Sequence, residues 1–216
     1  MIKNIFFDFD GVIAESVNVK AEAFYNIYLP YGKNIADKVR EHHLANGGVS
    51  RFRKFEYYHK NFLGRDINES QINELALRFS ELVLEKVINA PLVPGISDFL
   101  NDNYKKYRLW VITGTPTEEI KIILNRKGLD NYFISAVGSP STKSHWVNKL
   151  LKEHNLDKEE CIFIGDALSD YNAAIENGIK FVLRQTEDNT RLFNDKMEIS
   201  GRINNFDNFE NTLRSL

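Results

Sequence analysis

The stretch Ile5-Phe6-Phe7-Asp8-Phe9-Asp10-Gly11-Val12 is a short apolar run that ends in two carboxylates one residue apart. Its first half has the composition of a strand that is buried on both faces of a parallel sheet. Side chains two apart on an extended chain point the same way, so we expect Asp8 and Asp10 side by side, with Phe9 turned into the core. Open α/β sheets bind ligands at this end of their strands.

Two later runs have the same build, Leu109-Trp110-Val111-Ile112-Thr113-Gly114 and Cys161-Ile162-Phe163-Ile164-Gly165-Asp166, and the second continues to Asp170. Carboxylates gathered from such strand ends repel one another and take up protons unless a cation neutralises them. Mg²⁺ prefers oxygen ligands and commonly takes one or two carboxylates together with substrate phosphate. Thr113 and the backbone N–H near Gly114 offer donors to phosphoryl oxygens. The three runs therefore predict a metal-assisted phosphoryl-transfer site.

Composition sets the class of protein. The chain has 216 residues, 43% hydrophobic and 27% charged, with a net charge of −2. These values are typical of a globular protein and give no whole-chain bias toward nucleic acid or anionic membranes. The opening apolar stretch is too short for a signal peptide or a membrane span, so we expect a cytoplasmic protein. We also expect a monomer or a weak dimer. The single Cys161 is expected to fill the core.

The order of elements predicts the fold class. Residues from about 15 to 90 have helical spacing and no convincing strand, and Pro91 and Pro94-Gly95 then interrupt the chain. Beyond them, helices and strands alternate, which requires crossover connections and a parallel sheet. We therefore predict a doubly wound, Rossmann-like α/β core formed by residues 1–14 and 91–216, with an all-helical cap domain, residues 15–90, inserted after the first strand. The predicted later strands are Arg108 to Thr113, Phe133 to Val137, Cys161 to Ile164 and Lys180 to Leu183, and the Asn-rich tail is predicted as a loop with a short terminal helix.

In the order and placement of these motifs the chain resembles the haloacid dehalogenase-like hydrolase superfamily. The resemblance implies that Asp8 is a nucleophile forming an aspartyl-phosphate, and that Asp10 is a general acid and base whose backbone carbonyl also contacts the metal. It implies Asp166 as a direct metal ligand and Asp170 as a ligand or a support for the site. The family's lysine is expected at a loop-to-helix transition, which favours Lys143, after Pro140-Ser141-Thr142, over Lys149.

The segment Gly48-Val49-Ser50-Arg51 resembles the cap of the phosphoglycolate phosphatase and β-phosphoglucomutase branch of this superfamily. That likeness implies that Arg51 binds the far end of the substrate. Ser50 is a natural helix N-cap, while Arg53 and Lys54 are expected on a solvated helix face. Adjacent His42 and His43 diverge by about 100° on a helix, so they are not expected to share a metal.

Three functions are consistent with these residues. The favoured one is a Mg²⁺-dependent phosphatase acting on a small phosphorylated metabolite. The resemblance implies that its catalytic residues are Asp8, Asp10, Thr113 and Lys143. A phosphosugar mutase uses the same groups and differs in whether water reaches the intermediate. A receiver-like phospho-signalling module also combines aspartates, a threonine and a lysine, but the helical insert weighs against it.

Overall fold

The computed structural model describes residues 1–216 and contains one six-stranded parallel sheet. The strands are β1 Asn4–Phe7, β2 Arg108–Pro116, β3 Ser135–Ser139, β4 Cys161–Gly165, β5 Lys180–Arg184 and β6 Gly201–Ile203. Their order across the sheet is β3-β2-β1-β4-β5-β6. The chain moves outward from β1 in one direction and then restarts on the other side at β4. A crevice opens at such a switch point, beyond the carboxyl ends of β1 and β4.

Alternating side chains cover both faces of the sheet. Ile5 and Phe7 of β1 lie in one buried cluster, whereas Phe6 lies in a second cluster on the opposite face. The same alternation runs along β4, where Ile162 joins the first cluster and Phe163 the second. Strands buried on both faces account for the nearly unbroken apolar runs in the sequence. The predicted doubly wound core is confirmed.

Nine α-helices accompany the sheet. Four lie in the insert, residues 15–90: α1 Val17–Tyr28, α2 Lys33–Ala45, α3 Arg51–Phe62 and α4 Glu69–Asn89. The others are α5 Ile96–Asn103, α6 Thr117–Arg126, α7 Lys143–Glu153, α8 Leu168–Asn177 and α9 Phe209–Ser215. Local signals explain several helix starts, since Asn68 and Gln71 form a capping box at α4 and Thr142 accepts a hydrogen bond from the His145 N–H at α7. No helix combines the length and the hydrophobicity that a membrane span requires.

The helical insert, residues 15–90, packs around aromatic side chains that are continuous with the buried cluster of Ile5 and Phe7 on one face of the sheet. Phe24 lies with its ring centroid 4.4 Å from that of Phe79 and 5.4 Å from that of Phe55, and Tyr28 packs against Tyr58. The insert also packs against the end of α6, where the ammonium of Lys127, the residue after that helix, donates to the carbonyl of Ala90 at 2.7 Å. The insert thus sits against the same side of the sheet as α6.

Three strands differ from the sequence prediction by two residues or more. β2 was predicted to end at Thr113 and continues to Pro116. β6 was not predicted, because Gly201-Arg202-Ile203 is only three residues long and offers no apolar alternation; its pairing with β5 fixes it as a strand. β3 begins at Ser135, because a 3₁₀ turn at Asp130–Tyr132 occupies the residues just before Phe133. The terminal helix in the tail is confirmed as α9.

Candidate active site

The predicted acidic residues meet at the switch point of the sheet. Asp8 directly follows β1, and its backbone N–H donates to the carbonyl of Ile164 in β4 at 2.9 Å. Asp166 and Asp170 follow β4, at the start of α8. Side-chain oxygens of Asp8, Asp166 and Asp170 all lie within 4.8 Å of one another. Two distant parts of the chain thus place three carboxylates in one small volume.

Lys143 provides the positive charge beside these carboxylates. Its Nζ lies 2.7 Å from Asp8 Oδ2 and 2.5 Å from Asp170 Oδ1, and all three side chains are buried. Lys143 is the first residue of α7, so the Thr142 cap fixes the point from which its side chain extends. Lys149 lies further along α7, is partly exposed, and pairs with Glu153 at 3.7 Å. Lys143, rather than Lys149, is the lysine that reaches the site.

Burial shifts the proton affinities of the acidic group. It raises the pKa of Asp8 to about 7, although Lys143 acts in the opposite direction. Burial and the neighbouring Asp8 carboxylate raise the pKa of Asp166 well above its ordinary range. Burial also raises the pKa of Asp170, against the influence of Lys143. Carboxylates crowded in this way retain protons until a cation neutralises them.

Both side-chain oxygens of Asp170 accept hydrogen bonds from the protein, and Asp170, unlike Asp8 and Asp166, does not line the larger cavity described below. Oδ1 accepts from Lys143 at 2.5 Å and Oδ2 accepts from the Ala167 N–H at 3.1 Å. The residue is completely buried. Of the two roles that the resemblance left for Asp170, this geometry favours support, in which it orients Lys143 and the turn that carries Asp166.

Asp10 is held by residues that the sequence analysis did not identify. Ser16 Oγ donates to Asp10 Oδ1 at 2.6 Å, and the ammonium of Lys20 pairs with Oδ2. Lys20 also donates to Thr115 Oγ1 at 2.6 Å. Burial acts to raise the pKa of Asp10, but Lys20 and Ser16 outweigh it and the pKa is lowered. The available signal was a lysine on the apolar face of α1, four residues before Phe24.

The residues present fit a magnesium ion. The donor set consists of oxygens, as Mg²⁺ requires, with Asp8 and Asp166 carrying the charge. The backbone carbonyl of Asp10 accepts no backbone hydrogen bond and is therefore available to a cation. At Gly11 the φ is +75°, and a Cβ there would lie 2.2 Å from Asp166 Oδ2. Glycine at this position lets the turn after β1 come close to the Asp166 carboxylate.

A loop of the insert packs directly over the end of β2. A Cβ on Gly114 would lie 2.5 Å from the carbonyl oxygen of Gly48, and one on Gly48, whose φ is +69°, would lie 2.7 Å from Lys143 Nζ. Two cavities adjoin at this contact, and Gly48 and Gly114 line both. The larger, about 560 Å³, is lined by Asp8, Asp10, Gly114 and Asp166 together with insert residues. The smaller, about 230 Å³, is lined by Thr113, Gly114 and Lys143.

The smaller cavity is rich in hydroxyl groups, and two of them lack partners. Ser50 Oγ and Ser139 Oγ are buried without a hydrogen bond, although both residues line the cavity. Ser50 occupies the predicted N-cap position of α3, but its hydroxyl makes no capping bond. Thr113 is also buried, and its Oγ1 accepts from the Thr115 N–H at 3.3 Å. Such unpaired hydroxyls are available to a polar ligand.

Arg51 lines the larger cavity, but its guanidinium already has a partner. It makes a two-pronged ion pair with Glu119 of α6, at 2.6 Å and 2.9 Å, and donates to Ser80 Oγ at 2.6 Å. Its charged group also lies 4.5 Å from the Phe79 ring centroid. The predicted substrate arginine is therefore neutralised within the protein, and it ties α3 to α6.

The expectation that Lys54 is solvated is wrong. Lys54 is 1% exposed, whereas neighbouring Arg53 is exposed as predicted. The Lys54 ammonium lies 2.8 Å from His43 Nδ1, while His42 turns the other way and stacks on Tyr57. Lys54 follows Arg51 by three positions and precedes Tyr58 by four, so it falls on the buried face of α3 rather than on the solvated one.

The chain belongs to the haloacid dehalogenase-like hydrolase family, whose model matches residues 5–184. This match confirms the family and the prediction of a hydrolase. Among curated proteins, the phosphoglycolate phosphatase of Pasteurella multocida is 28% identical over 191 residues, which cover 83% of this chain and 84% of that protein. The names of such relatives support the predicted class of phosphoric monoester hydrolase.

Solved structures share the whole fold. A β-phosphoglucomutase from Clostridium difficile matches with a TM-score of 0.80 and 19% identity, covering 100% of this chain and 97% of that one. A predicted phosphoglycolate phosphatase from Haemophilus somnus matches with a TM-score of 0.76 and 19% identity, covering 98% of each chain. At these identities the likeness shows the fold alone.

Proposed function

We propose that the protein is a Mg²⁺-dependent phosphatase that hydrolyses a small organic phosphate monoester through an aspartyl-phosphate on Asp8. The observation that carries this proposal is the buried contact between Asp8 and Lys143, 2.7 Å long, beside the Asp166 carboxylate. A nucleophile for phosphorus, a fixed positive charge and a cation site then occupy one crevice. Phosphoryl transfer needs these three parts and little other covalent chemistry.

The reaction would take place in two displacements. An Asp8 oxygen attacks phosphorus, the bond from phosphorus to the ester oxygen breaks, and the alcohol leaves with a proton from Asp10. Water then attacks the aspartyl-phosphate, giving its proton to Asp10 and releasing inorganic phosphate and free Asp8. Lys143, Thr113 and the backbone near Gly114 would hold the equatorial oxygens. Asp10 must enter the first step protonated; Lys20 and Ser16, which lower its pKa, favour the ionised carboxylate that is needed at the start of the second step.

A magnesium ion would be held by the carboxylates of Asp8 and Asp166 and by the backbone carbonyl of Asp10. When bound, it neutralises charge on the phosphoryl group and reduces repulsion between that group and the attacking carboxylate. Asp170 would keep Lys143 in place from the opposite side.

We propose that residues 1–14 and 91–216 form the catalytic domain and that residues 15–90 form a cap. The contact between Gly48 and Gly114 supports this division, because it places an insert loop over the end of β2. Opening of the cap would then admit substrate, and closure would exclude bulk water from the site.

Phosphoglycolate is the first substrate to test, since several relatives carry the name phosphoglycolate phosphatase. The phosphosugar mutase remains the rival function, supported only at the level of fold. The pairing of Arg51 with Glu119 does not separate the two functions, because the resemblance assigns this arginine to the far end of the substrate in both branches.

Phosphate release and product analysis distinguish these functions. Wild-type protein is expected to release inorganic phosphate from phosphoglycolate in the presence of Mg²⁺ and to release none in EDTA. The Asp8→Asn variant should have a turnover lower by about 10⁴-fold or more. Isomerised hexose phosphate without free phosphate would establish the mutase. Release by Asp8→Asn at the wild-type rate would reject the nucleophile.

A further inference from the structure

The larger cavity contains a buried lysine that the proposed reaction does not use. Lys54 is 1% exposed and has no carboxylate within ion-pair distance, in contrast to buried Lys20, which pairs with Asp10, and buried Lys143, which pairs with Asp8. Its ammonium reaches His43 Nδ1 at 2.8 Å and the His43 carbonyl only at 3.4 Å. An ammonium has three N–H donors, and neutral His43 does not satisfy all of them. It also provides no negative charge to balance the ammonium.

The other cations that line the cavity are neutralised or exposed. Arg51 is bound by Glu119, Arg184 by Glu15, and Arg40 by Glu22. Arg191 makes no ion pair but is exposed to solvent. Lys54 is therefore the buried cation of this cavity that lacks a counterion, and a bound anion would supply one.

The surroundings of Lys54 increase the cost of leaving its charge unpaired. The Lys54 ammonium lies over the Phe24 ring, 5.6 Å from its centroid, and His43 is itself buried. Burial, followed by the charges of Lys20 and Lys143, lowers the pKa of Lys54 well below its ordinary range. A buried ion without a counterion destabilises the fold, and such sites are enriched where ligands bind.

We propose that Lys54 binds a second anionic group of the substrate, a carboxylate on the alcohol part of the phosphate ester, and so selects small phosphorylated acids. This inference rests on the proposed phosphatase function, because it assumes that the ester phosphate lies at Asp8. His43, accepting through Nδ1, orients the ammonium. Arg51 holds the insert to α6 and does not contact this group.

The test compares phosphoglycolate with 2-hydroxyethyl phosphate, in which a hydroxymethyl group replaces the carboxylate. A charge-assisted hydrogen bond predicts that Lys54→Met lowers kcat/KM for phosphoglycolate by about 10- to 100-fold, mainly through KM, and for the neutral ester by less than about threefold. The variant is also expected to have a higher Tm than wild type, since it removes an unpaired buried charge. A merely structural lysine would lower Tm and affect both esters alike. Lys60→Met, on the exposed side of the same helix, is the matched control and should change neither activity.

Three outcomes would overturn the proposal. Lys54→Met could lose kcat/KM equally on both esters, or Arg191→Met rather than Lys54→Met could lose it selectively on phosphoglycolate. Wild type could also hydrolyse both esters equally well. Calorimetric binding of both esters to Asp8→Asn, with and without Lys54→Met, tests the lysine without turnover. If wild type releases no phosphate but Lys54→Met still weakens binding of phosphoglycolate selectively, the phosphatase proposal fails and the anion site stands. If neither ester binds, the anion site is rejected, and phosphate release from other esters decides the phosphatase proposal.

Discussion

The ion pair between Arg51 and Glu119 gives a quantitative prediction about how the insert is attached. Their side chains are 3% and 10% exposed, and two hydrogen bonds join them at 2.6 Å and 2.9 Å. Ser80 Oγ accepts from Arg51 and donates to Glu119 Oε2, each at 2.6 Å. Removing one member leaves the other charge buried, which costs about 3–5 kcal/mol in such pairs. Arg51→Met and Glu119→Met should each lower the free energy of unfolding by about that amount.

The double variant Arg51→Met/Glu119→Met removes both charges and leaves two apolar side chains. It should unfold with a free energy within about 2 kcal/mol of wild type, because apolar replacement of a whole buried pair is often neutral or stabilising. Urea unfolding of the four proteins, followed by circular dichroism, gives the coupling energy. We expect at least about 3 kcal/mol. Single effects that add to within about 0.5 kcal/mol would show that the two residues do not interact.

The pH dependence of this pair has a definite sign. Burial acts to raise the pKa of Glu119, but Arg51 and Ser80 outweigh it and hold the pKa below its ordinary value of 4.5. A carboxyl group with a lowered folded pKa stabilises the protein above its unfolded pKa, and this contribution is lost as pH falls through the folded pKa. The advantage of wild type over Glu119→Met should therefore shrink below pH 4.5.

Two further predictions concern the acidic cluster. In EDTA, Asp8 should contribute a downward slope of Tm with pH between its ordinary pKa of 3.8 and about 7, because the folded state keeps a proton that the unfolded state has released. Asp8→Asn should reduce that slope, and an equal slope in the variant would contradict the assignment of the raised pKa. Separately, Lys143→Met should abolish phosphatase activity and lower the free energy of unfolding by about 3 kcal/mol or more, because Asp8 and Asp170 lose their counterion. Lys149→Met should stay within about 0.5 kcal/mol of wild type and keep its activity, and similar effects from both lysines would reject the choice between them.

The positions of the strand ends that carry the site were predictable from the sequence, because each strand is a short apolar run that can be recognised locally. Apolar runs that end in Asp8, Thr113 and Asp166 form buried parallel strands, and the carboxyl ends of parallel strands share one edge of the sheet. The meeting of these groups therefore follows once the three strands are recognised. β6 escaped detection because three residues, Gly201–Ile203, carry no pattern, and only pairing with β5 makes them a strand.

The contacts that the sequence analysis missed depend on how the insert packs against the rest of the chain. Arg51 pairs with Glu119 only because α3 packs near α6, and the spacing of residues along the chain does not predict that contact. Lys20 and Lys54 were open to detection as lysines on apolar helix faces, but their partners, Asp10 and His43, lie on other elements. A charged residue on an apolar helix face predicts burial, while the tertiary structure decides what it binds.

Chemical trapping of the phosphoenzyme tests the central claim most directly. Protein quenched during turnover of phosphoglycolate and treated with borohydride should yield homoserine at position 8 by tandem mass spectrometry, because borohydride reduces an acyl phosphate to the alcohol. The signal should require both Mg²⁺ and substrate. Reduction at another carboxylate, or phosphate release with unmodified Asp8 at every quench time, would contradict attack by Asp8.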